Sequence, residues 1–271
     1  MFLVIIFIFV MGLVWGSFLN VVIWRTSHGI SPAKGRSICP KCKKTIPWKY
    51  NIPLLSFIWL RGRCANCHKK ISWRYPAIEL ATGILFVWWY LVGSSFFHLF
   101  GNPWQVVQPI FWLIVGMILL TIFMTDLLYG VIPLSVNLTL LSLVLFYRIS
   151  LTAFNQMTVL DFVLALLSGL LLAAFFLFLQ RITRWIKGVD GMGEGDIFLS
   201  PSLGLLLGWP KILIGVFLSF AIGSVLGVIL ISLGKKKMSQ TIPFGPFLVV
   251  GTVLALVWGG GIWSWYIGML Q

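Results

Sequence analysis

Two aspartates and a run of glycines are the first candidates for chemistry in this sequence. Asp126 follows a long apolar stretch, and Asp196 ends the string Gly191-Met192-Gly193-Glu194-Gly195-Asp196. Two carboxyl groups that share one proton supply a base that activates water and an acid that protonates a leaving group. Glycines at three alternate positions let the backbone approach a partner closely. The simpler alternative is that both aspartates only cap helix ends.

The second candidate is a cluster of four cysteines in a basic segment. Cys39-x-x-Cys42 and Cys64-x-x-Cys67 form two pairs separated by 21 residues. Two such pairs supply four thiolates to a tetrahedral zinc ion, and two disulfides are the competing interpretation. A reducing compartment disfavours disulfides, and the charge distribution below predicts one, so zinc is favoured. A four-thiolate site is closed, and its role is therefore expected to be structural.

The composition shows which elements must position these residues. The chain has 271 residues, a mean hydropathy of +1.01, 59% apolar residues and only 10% charged residues. A soluble domain carries about 25% charged residues, so a soluble enzyme is excluded. The apolar runs are continuous rather than alternating, which excludes a transmembrane barrel. The sequence therefore predicts an all-α membrane protein of about eight helices. These are expected at about 2–24, 77–100, 104–126, 131–149, 157–180, 196–208, 211–234 and 246–269.

The basic residues predict how the chain is oriented. Twelve of the 20 lie between Arg25 and Arg74, and the net charge is +14. With segment 25–76 in the cytoplasm and alternating spans, 18 basic residues lie inside, and only Arg148 and Lys211 lie outside. The charge is therefore assigned to orientation and anionic membrane lipids, and no nucleic-acid partner is expected. Residues 2–15 precede any basic residue, so we expect a retained first helix rather than a cleaved signal peptide.

This orientation predicts three divisions of the chain and a common depth for several acids. The divisions are a first helix (1–24), a cytoplasmic four-cysteine segment (25–76) and a membrane bundle (77–271). Asp126 and Asp196 then lie at the same depth on the cytoplasmic face. Glu79 begins the second helix on the same side, where an acid in the first turn favours the helix dipole.

Six ordered blocks of the sequence match one known family. They are GSFLNVVIWR (16–25), NIPLLS (51–56) with RGRC (61–64), RYPAIELATG (74–83), Asp126 followed by Ile132-Pro133, GMGEGD (191–196) and IPFGPF (242–247). In these blocks the chain resembles the type IV prepilin peptidases, bifunctional enzymes of the GxGD class of intramembrane aspartic proteases. Phe198 and Leu134 depart from that family, which often has lysine and a polar residue at these positions.

The resemblance implies a function for the residues identified above. It implies that Asp126 and Asp196 cleave the leader peptide of prepilins or pseudopilins at the cytoplasmic face of the bacterial plasma membrane. It further implies N-methylation of the new N-terminus with S-adenosylmethionine as donor, and Glu79 lies in the candidate region. The alternative is a transporter that uses the two boundary aspartates for proton coupling.

Overall fold

The computed structural model describes residues 2–33, 35–93, 104–188, 190–235 and 242–270. Within these ranges, seven helices are long and apolar enough to cross a membrane. The predicted all-α membrane fold is confirmed, and β pairing in the described residues is limited to two isolated bridges. The chain divides into two compact units, residues 1–117 and 118–271.

The first unit is built on two helices that pack closely. They are α1 (Phe2–Thr26) and α3 (Arg74–Trp88), and a π-helical turn (Trp89–Gly93) continues α3. A methyl group on Gly16 would lie 2.6 Å from the Cα of Glu79, and one on Gly12 would lie 2.7 Å from the Cα of Gly83. Small residues permit such close backbone approach between membrane helices, so glycines on α1 fix the position of Glu79.

The segment between α1 and α3 contains little regular structure. It has a 3₁₀ turn (Trp48–Tyr50), the short helix α2 (Leu55–Trp59) and two tight turns that carry the cysteines. The side chain of Arg25, at the end of α1, donates hydrogen bonds to the carbonyl oxygens of Pro32 and Arg36 at 3.2 and 2.9 Å. The segment is therefore attached to the end of α1 by a buried guanidinium.

The second unit contains the remaining helices. Helix α4 (Trp104–Tyr129) ends in this unit, and four further long helices and one short helix follow. They are α5 (Leu134–Ala153), α6 (Val159–Lys187), α7 (Glu194–Leu207), α8 (Lys211–Ser232) and α9 (Gly245–Leu270). The 14-residue α7 is not among the seven candidate spans, which agrees with the short sixth helix expected from the sequence.

The helix boundaries differ from the sequence expectation in one instructive place. The sequence predicted a loop from residue 181, whereas α6 continues to Lys187 and ends at Gly188 with φ +69°. A glycine in the left-handed conformation is a common helix terminator, and the polar character of residues 181–187 had suggested an earlier end. The expected end of the second helix near residue 100, the loop at 101–103 and Lys236 and Lys237 lie outside the described residues.

Candidate active site and metal-binding cluster

Burial separates the six acidic residues into two groups. Asp126, Asp196 and Glu79 are only 6%, 6% and 9% exposed, whereas Asp161, Asp190 and Glu194 lie on the surface. Two of the exposed acids have partners close by in the chain. Asp161 exchanges hydrogen bonds with Thr158 at the start of α6, and Asp190 forms an ion pair with Arg184. An acid buried in a membrane protein is costly and is expected to have a function.

Asp126 lies near the end of α4, where it meets the first residue of α9. Its Oδ2 accepts a hydrogen bond from the backbone N–H of Gly245 at 2.9 Å. A methyl group on Gly245 would lie 2.6 Å from the same oxygen, so a side chain at this position would displace the carboxylate. An N–H donor stabilises the ionised form of a carboxylate, and the glycine makes that donor accessible.

Asp196 lies in the first turn of α7, and one of its oxygens has no partner. Its Oδ1 is buried and accepts no hydrogen bond from any described residue. Burial, followed by the negative charge of Asp126, raises the pKa of Asp196 to about 7. A carboxyl group with a pKa near 7 is protonated in about half of the molecules at neutral pH, so it can serve as a general acid.

The two aspartates belong to one site. The negative charge of Asp126 acts on Asp196. A glycine beside each aspartate also lies close to Ile132, because a methyl group would be 3.2 Å from its side chain at Gly245 and 3.1 Å from it at Gly195. Both carboxyl groups are buried, and each has a backbone hydrogen bond, from Gly245 to Asp126 and from Gly193 to Asp196. Two buried carboxyl groups in such surroundings can act as the acid and the base of a hydrolysis.

Each of the three motif glycines lies where the surrounding atoms leave little room for a side chain. A methyl group would lie 2.6 Å from Thr183 at Gly191, 3.1 Å from Oδ2 of Asp196 at Gly193, and 3.1 Å from Ile132 at Gly195. The same loop is attached to α6, because Thr183 accepts a hydrogen bond from the N–H of Gly191. The glycines therefore allow the loop to lie against α6 and against the carboxylate that follows it.

A polar contact that the sequence did not suggest holds α7 in place. Asn137, on α5 and 2% exposed, donates from Nδ2 to the carbonyl oxygen of Phe198 at 2.6 Å, and its Oδ1 accepts from the hydroxyl of Ser202 at 2.8 Å. Pro201 lacks an N–H and interrupts the backbone hydrogen bonds of α7 here. The Asn137 side chain thus fixes the weakened part of the helix that carries Asp196. A buried asparagine in an apolar segment was the available signal.

The opposite end of α7 is held by an arginine on the same helix α5. Arg148 donates from Nε to the carbonyl oxygen of Leu205 at 2.7 Å and from a terminal nitrogen to that of Leu206 at 3.3 Å. The last carbonyl groups of a helix have no partner within it and carry partial negative charge. Two side chains of α5 therefore position α7 along its length.

Glu79 lies in the first unit, where its carboxylate accepts hydrogen bonds. Its Oε2 accepts from the N–H of Leu54 at 2.8 Å, and the Ser17 side chain also bonds to the carboxylate. Among the described residues, no lysine or arginine forms an ion pair with it. Glu79 thus contacts the backbone just before α2, rather than acting only on the dipole of α3.

The four cysteines converge as the sequence predicted. The sulfur atoms of Cys39, Cys42, Cys64 and Cys67 all lie within 4.8 Å of one another, and none is in a disulfide. Cys39 and Cys67 sulfurs are 4.0 Å apart. Thiolates at about 2.3 Å from a tetrahedral zinc lie about 3.8 Å apart, so small shifts would complete such a site. The cluster can hold a metal ion.

The cysteine turns are two copies of one structure, which the sequence analysis missed. In each, the N–H of the first cysteine donates to the carbonyl five residues later, from Cys39 to Lys44 and from Cys64 to Lys69. The residue after the second cysteine has positive φ in both, at Lys43 and His68. The shared pattern C-x-x-C-x-K-x-I, in CPKCKKTI (39–46) and CANCHKKI (64–71), was the signal for this repeat.

Removal of the Asn137 side chain is expected to destabilise the second unit. Asn137→Leu leaves the Ser202 hydroxyl and the Phe198 carbonyl without their partner, at a cost of about 1–3 kcal/mol per buried group. Reversible unfolding in mixed micelles measures the free energy of unfolding. Thr139→Leu is the control, because the hydroxyl of this exposed residue donates to the carbonyl oxygen of Ser135 within the same helix. Equal stability of the two variants would contradict the role assigned to Asn137.

Comparison with known proteins gives consistent matches over both units. Residues 10–92 match the model of the bacterial peptidase A24 N-terminal domain, and residues 111–228 match that of the type IV leader peptidase family. No solved structure matches the chain.

Curated relatives extend these matches to nearly the whole chain. A prepilin leader peptidase/N-methyltransferase of Aeromonas salmonicida is 32% identical over 97% of this chain and 94% of its own length. Proteins of the same name from Bacillus subtilis and Legionella pneumophila are 31% and 34% identical, over 97% and 86% of this chain. These matches cover 97% of the length of the Bacillus subtilis protein and 76% of the length of the Legionella pneumophila protein. The chain therefore belongs to the type IV leader peptidase family.

Proposed function

We propose that this protein cleaves the leader peptide of a type IV prepilin or pseudopilin with Asp126 and Asp196 as its catalytic pair. The observation that supports this most directly is the burial of two carboxyl groups in one site, one stabilised by the Gly245 N–H and the other with an unpartnered oxygen. The family and the names of the relatives support the substrate class. No observation favours the proton-coupled transporter.

The surroundings of each carboxyl group support a distinct role for it in the proposed reaction. The ionised Asp126 takes a proton from a water molecule, whose oxygen attacks the carbonyl carbon of the scissile peptide bond. The protonated Asp196 donates its proton to the amide nitrogen as the carbon–nitrogen bond breaks. The unpartnered Oδ1 of Asp196 is a position where water or the leaving nitrogen finds a hydrogen-bond partner. The pair ends the step with one proton again, now on the other carboxyl group.

The second proposed activity is N-methylation of the amine that cleavage releases. When bound, S-adenosylmethionine supplies an activated methyl group. The amine nitrogen forms the new bond to carbon, the carbon–sulfur bond breaks with its electron pair remaining on sulfur, and solvent takes up the proton released from nitrogen. Glu79, a buried carboxylate without a cation among the described residues, accepts a hydrogen bond from the incoming amine.

The four-cysteine segment is proposed to bind zinc as a structural ion on the cytoplasmic side. Residues 25–76 then form an insertion between the first helix (1–24) and the membrane bundle (77–271). The segment contains only short helices and two turns, so metal coordination would supply much of its folding free energy. Its positive charge faces the headgroups of anionic lipids.

Replacement of either buried aspartate by asparagine is expected to abolish cleavage. The amide keeps the volume but can neither take nor give the shared proton, so the rate of prepilin cleavage should fall by at least about 10²–10⁴-fold. Asp161→Asn is the matched control, since this surface aspartate only bonds to Thr158, the residue that caps the start of α6. The product is followed by mass spectrometry. Cleavage at the normal rate by a well-inserted Asp196→Asn variant would disprove the assignment.

The purified protein is expected to contain one zinc ion per chain. Elemental analysis should show this ion in the wild type and its loss in Cys42→Ser, because three thiolates bind more weakly than four. Lys41→Ser is the control, as it lies between the two cysteines of a pair without being a ligand. A folded protein without zinc and with four freely reactive thiols would be inconsistent with the proposal.

Cysteine labelling tests the proposed orientation. A cysteine introduced at Lys187 should not react with a membrane-impermeant thiol reagent applied to spheroplasts, because position 187 is assigned to the cytoplasm. Phe154→Cys, between α5 and α6, should react under the same conditions. The parent protein is the blank, since its four cysteines are on the cytoplasmic side. Strong labelling at position 187 from outside would reverse the orientation.

A further inference from the structure

The short helix α2 directs its apolar side chains away from the protein. Leu55, Ile58 and Trp59 are 62%, 70% and 75% exposed, and their spacing places them on one face of the helix. The polar Ser56 is buried in the same helix, where its Oγ accepts a hydrogen bond from the N–H of Ile52 at 2.9 Å. A helix at the surface of a soluble domain has the opposite arrangement, with polar side chains in water. The exposed face of α2 therefore suits an apolar surrounding.

Two contacts place α2 beside the first turns of α3, which is long and apolar enough to cross the membrane. The N–H of Leu54, directly before α2, donates to Oε2 of Glu79 at 2.8 Å. Glu79 lies five residues after Arg74, the first residue of α3, which corresponds to about 7.5 Å along the helix axis. The rings of Phe57 and Trp73 also pack with their centroids 4.8 Å apart, and Trp73 directly precedes α3. Helix α2 thus lies at the depth where α3 enters the membrane.

The contacts of α1 give a second measure of this depth. Asn20 donates from Nδ2 to the carbonyl oxygen of Tyr75, in the first turn of α3, at 3.0 Å. Helix α1 continues six residues beyond Asn20, to Thr26, which corresponds to about 9 Å. The first cysteine turn lies near that far end, because Nζ of Lys43 is 5.8 Å from the ring centroid of Trp24. Helix α2 is therefore closer to the membrane than the first cysteine turn is.

The residues around α2 match the chemistry of an anionic membrane surface. Arg61 and Arg63 come shortly after the helix and are exposed. No acidic residue precedes Glu79 in the sequence, so the segment around α2 is purely basic. Tryptophan, present at the end of α2 and directly before α3, is enriched where lipid hydrocarbon meets the headgroups. An apolar helix face bordered by basic residues is typical of helices that lie in the membrane surface.

We propose that α2 is an interfacial anchor, and that the face formed by Leu55, Ile58 and Trp59 lies among the lipids of the cytoplasmic leaflet. The bilayer that α3 crosses adjoins this face, and its acyl chains cover the three apolar side chains. Phosphate groups of anionic lipids lie next to Arg61 and Arg63. Interfacial helices insert their apolar face about 5–10 Å into the boundary between headgroups and acyl chains. The four-cysteine segment is thereby held on the membrane at a point between its covalent links to α1 and α3. This anchoring is independent of the proposed cleavage and methylation.

Photo-crosslinking in membranes of known composition identifies what covers this face. The photoreactive residue p-benzoylphenylalanine replaces Ile58 in the full-length protein, which is reconstituted in vesicles of phosphatidylethanolamine and phosphatidylglycerol. Phe7, exposed on the membrane helix α1, is the positive control for lipid contact, and Lys44, exposed on the first cysteine turn, is the negative control. Mass spectrometry should show a phospholipid adduct at position 58 with a yield within about twofold of position 7 and at least about tenfold above position 44.

The same replacement at Leu55 covers the case in which the Ile58 variant fails to fold. Both residues are exposed, so each variant should elute and unfold as the parent protein does, and each should form the lipid adduct. A lipid yield at positions 55 and 58 no higher than at position 44 would overturn the inference. Adducts to a second copy of this chain, or to a prepilin added in excess, would do so as well if they replaced the lipid adduct, because another protein would then cover the face.

Discussion

Two carboxyl groups buried next to each other determine how the second unit is built. Two buried like charges in a medium of low dielectric repel each other, so the charge of Asp126 favours the protonated form of Asp196. Backbone hydrogen bonds from Gly245 to Asp126 and from Gly193 to Asp196 reduce the remaining cost, and one oxygen of Asp196 has no partner among the described residues. Complete hydrogen bonding would stabilise the pair but would leave no position for water.

The helices around this pair hold the two carboxyl groups in position. Helix α7 is short, interrupted by Pro201, and held by Asn137 and Arg148 of α5. Backbone approaches that only glycine permits bring the loop before α7 against α6 and the start of α9 against α4. Apolar packing alone would leave α7 free to slide in an apolar environment, since lipid provides no hydrophobic driving force between helices. Directional hydrogen bonds remove that freedom.

Residue type and spacing identified the parts of the site that lie close together in the chain. The four cysteines, the glycine string and the charge pattern are local features, and the four sulfur atoms converge as their spacing predicted. The contacts of Asn137 with α7 and of Gly245 with Asp126 join residues 61–119 positions apart. No periodicity specifies which buried polar group meets which carbonyl, so these contacts required the three-dimensional fold. The extension of α6 to Lys187 was missed because polar composition at a membrane boundary resembles a loop.

The duplicated cysteine turn has a consequence for biogenesis. Each turn supplies two sulfur ligands, so neither can complete the metal site, and 25 residues separate equivalent positions of the two copies. The ribosome completes α1 before the second copy has been made, and domains tend to fold in the order of synthesis. A metal ion can therefore be held by all four sulfur atoms only once both copies of the turn have been made.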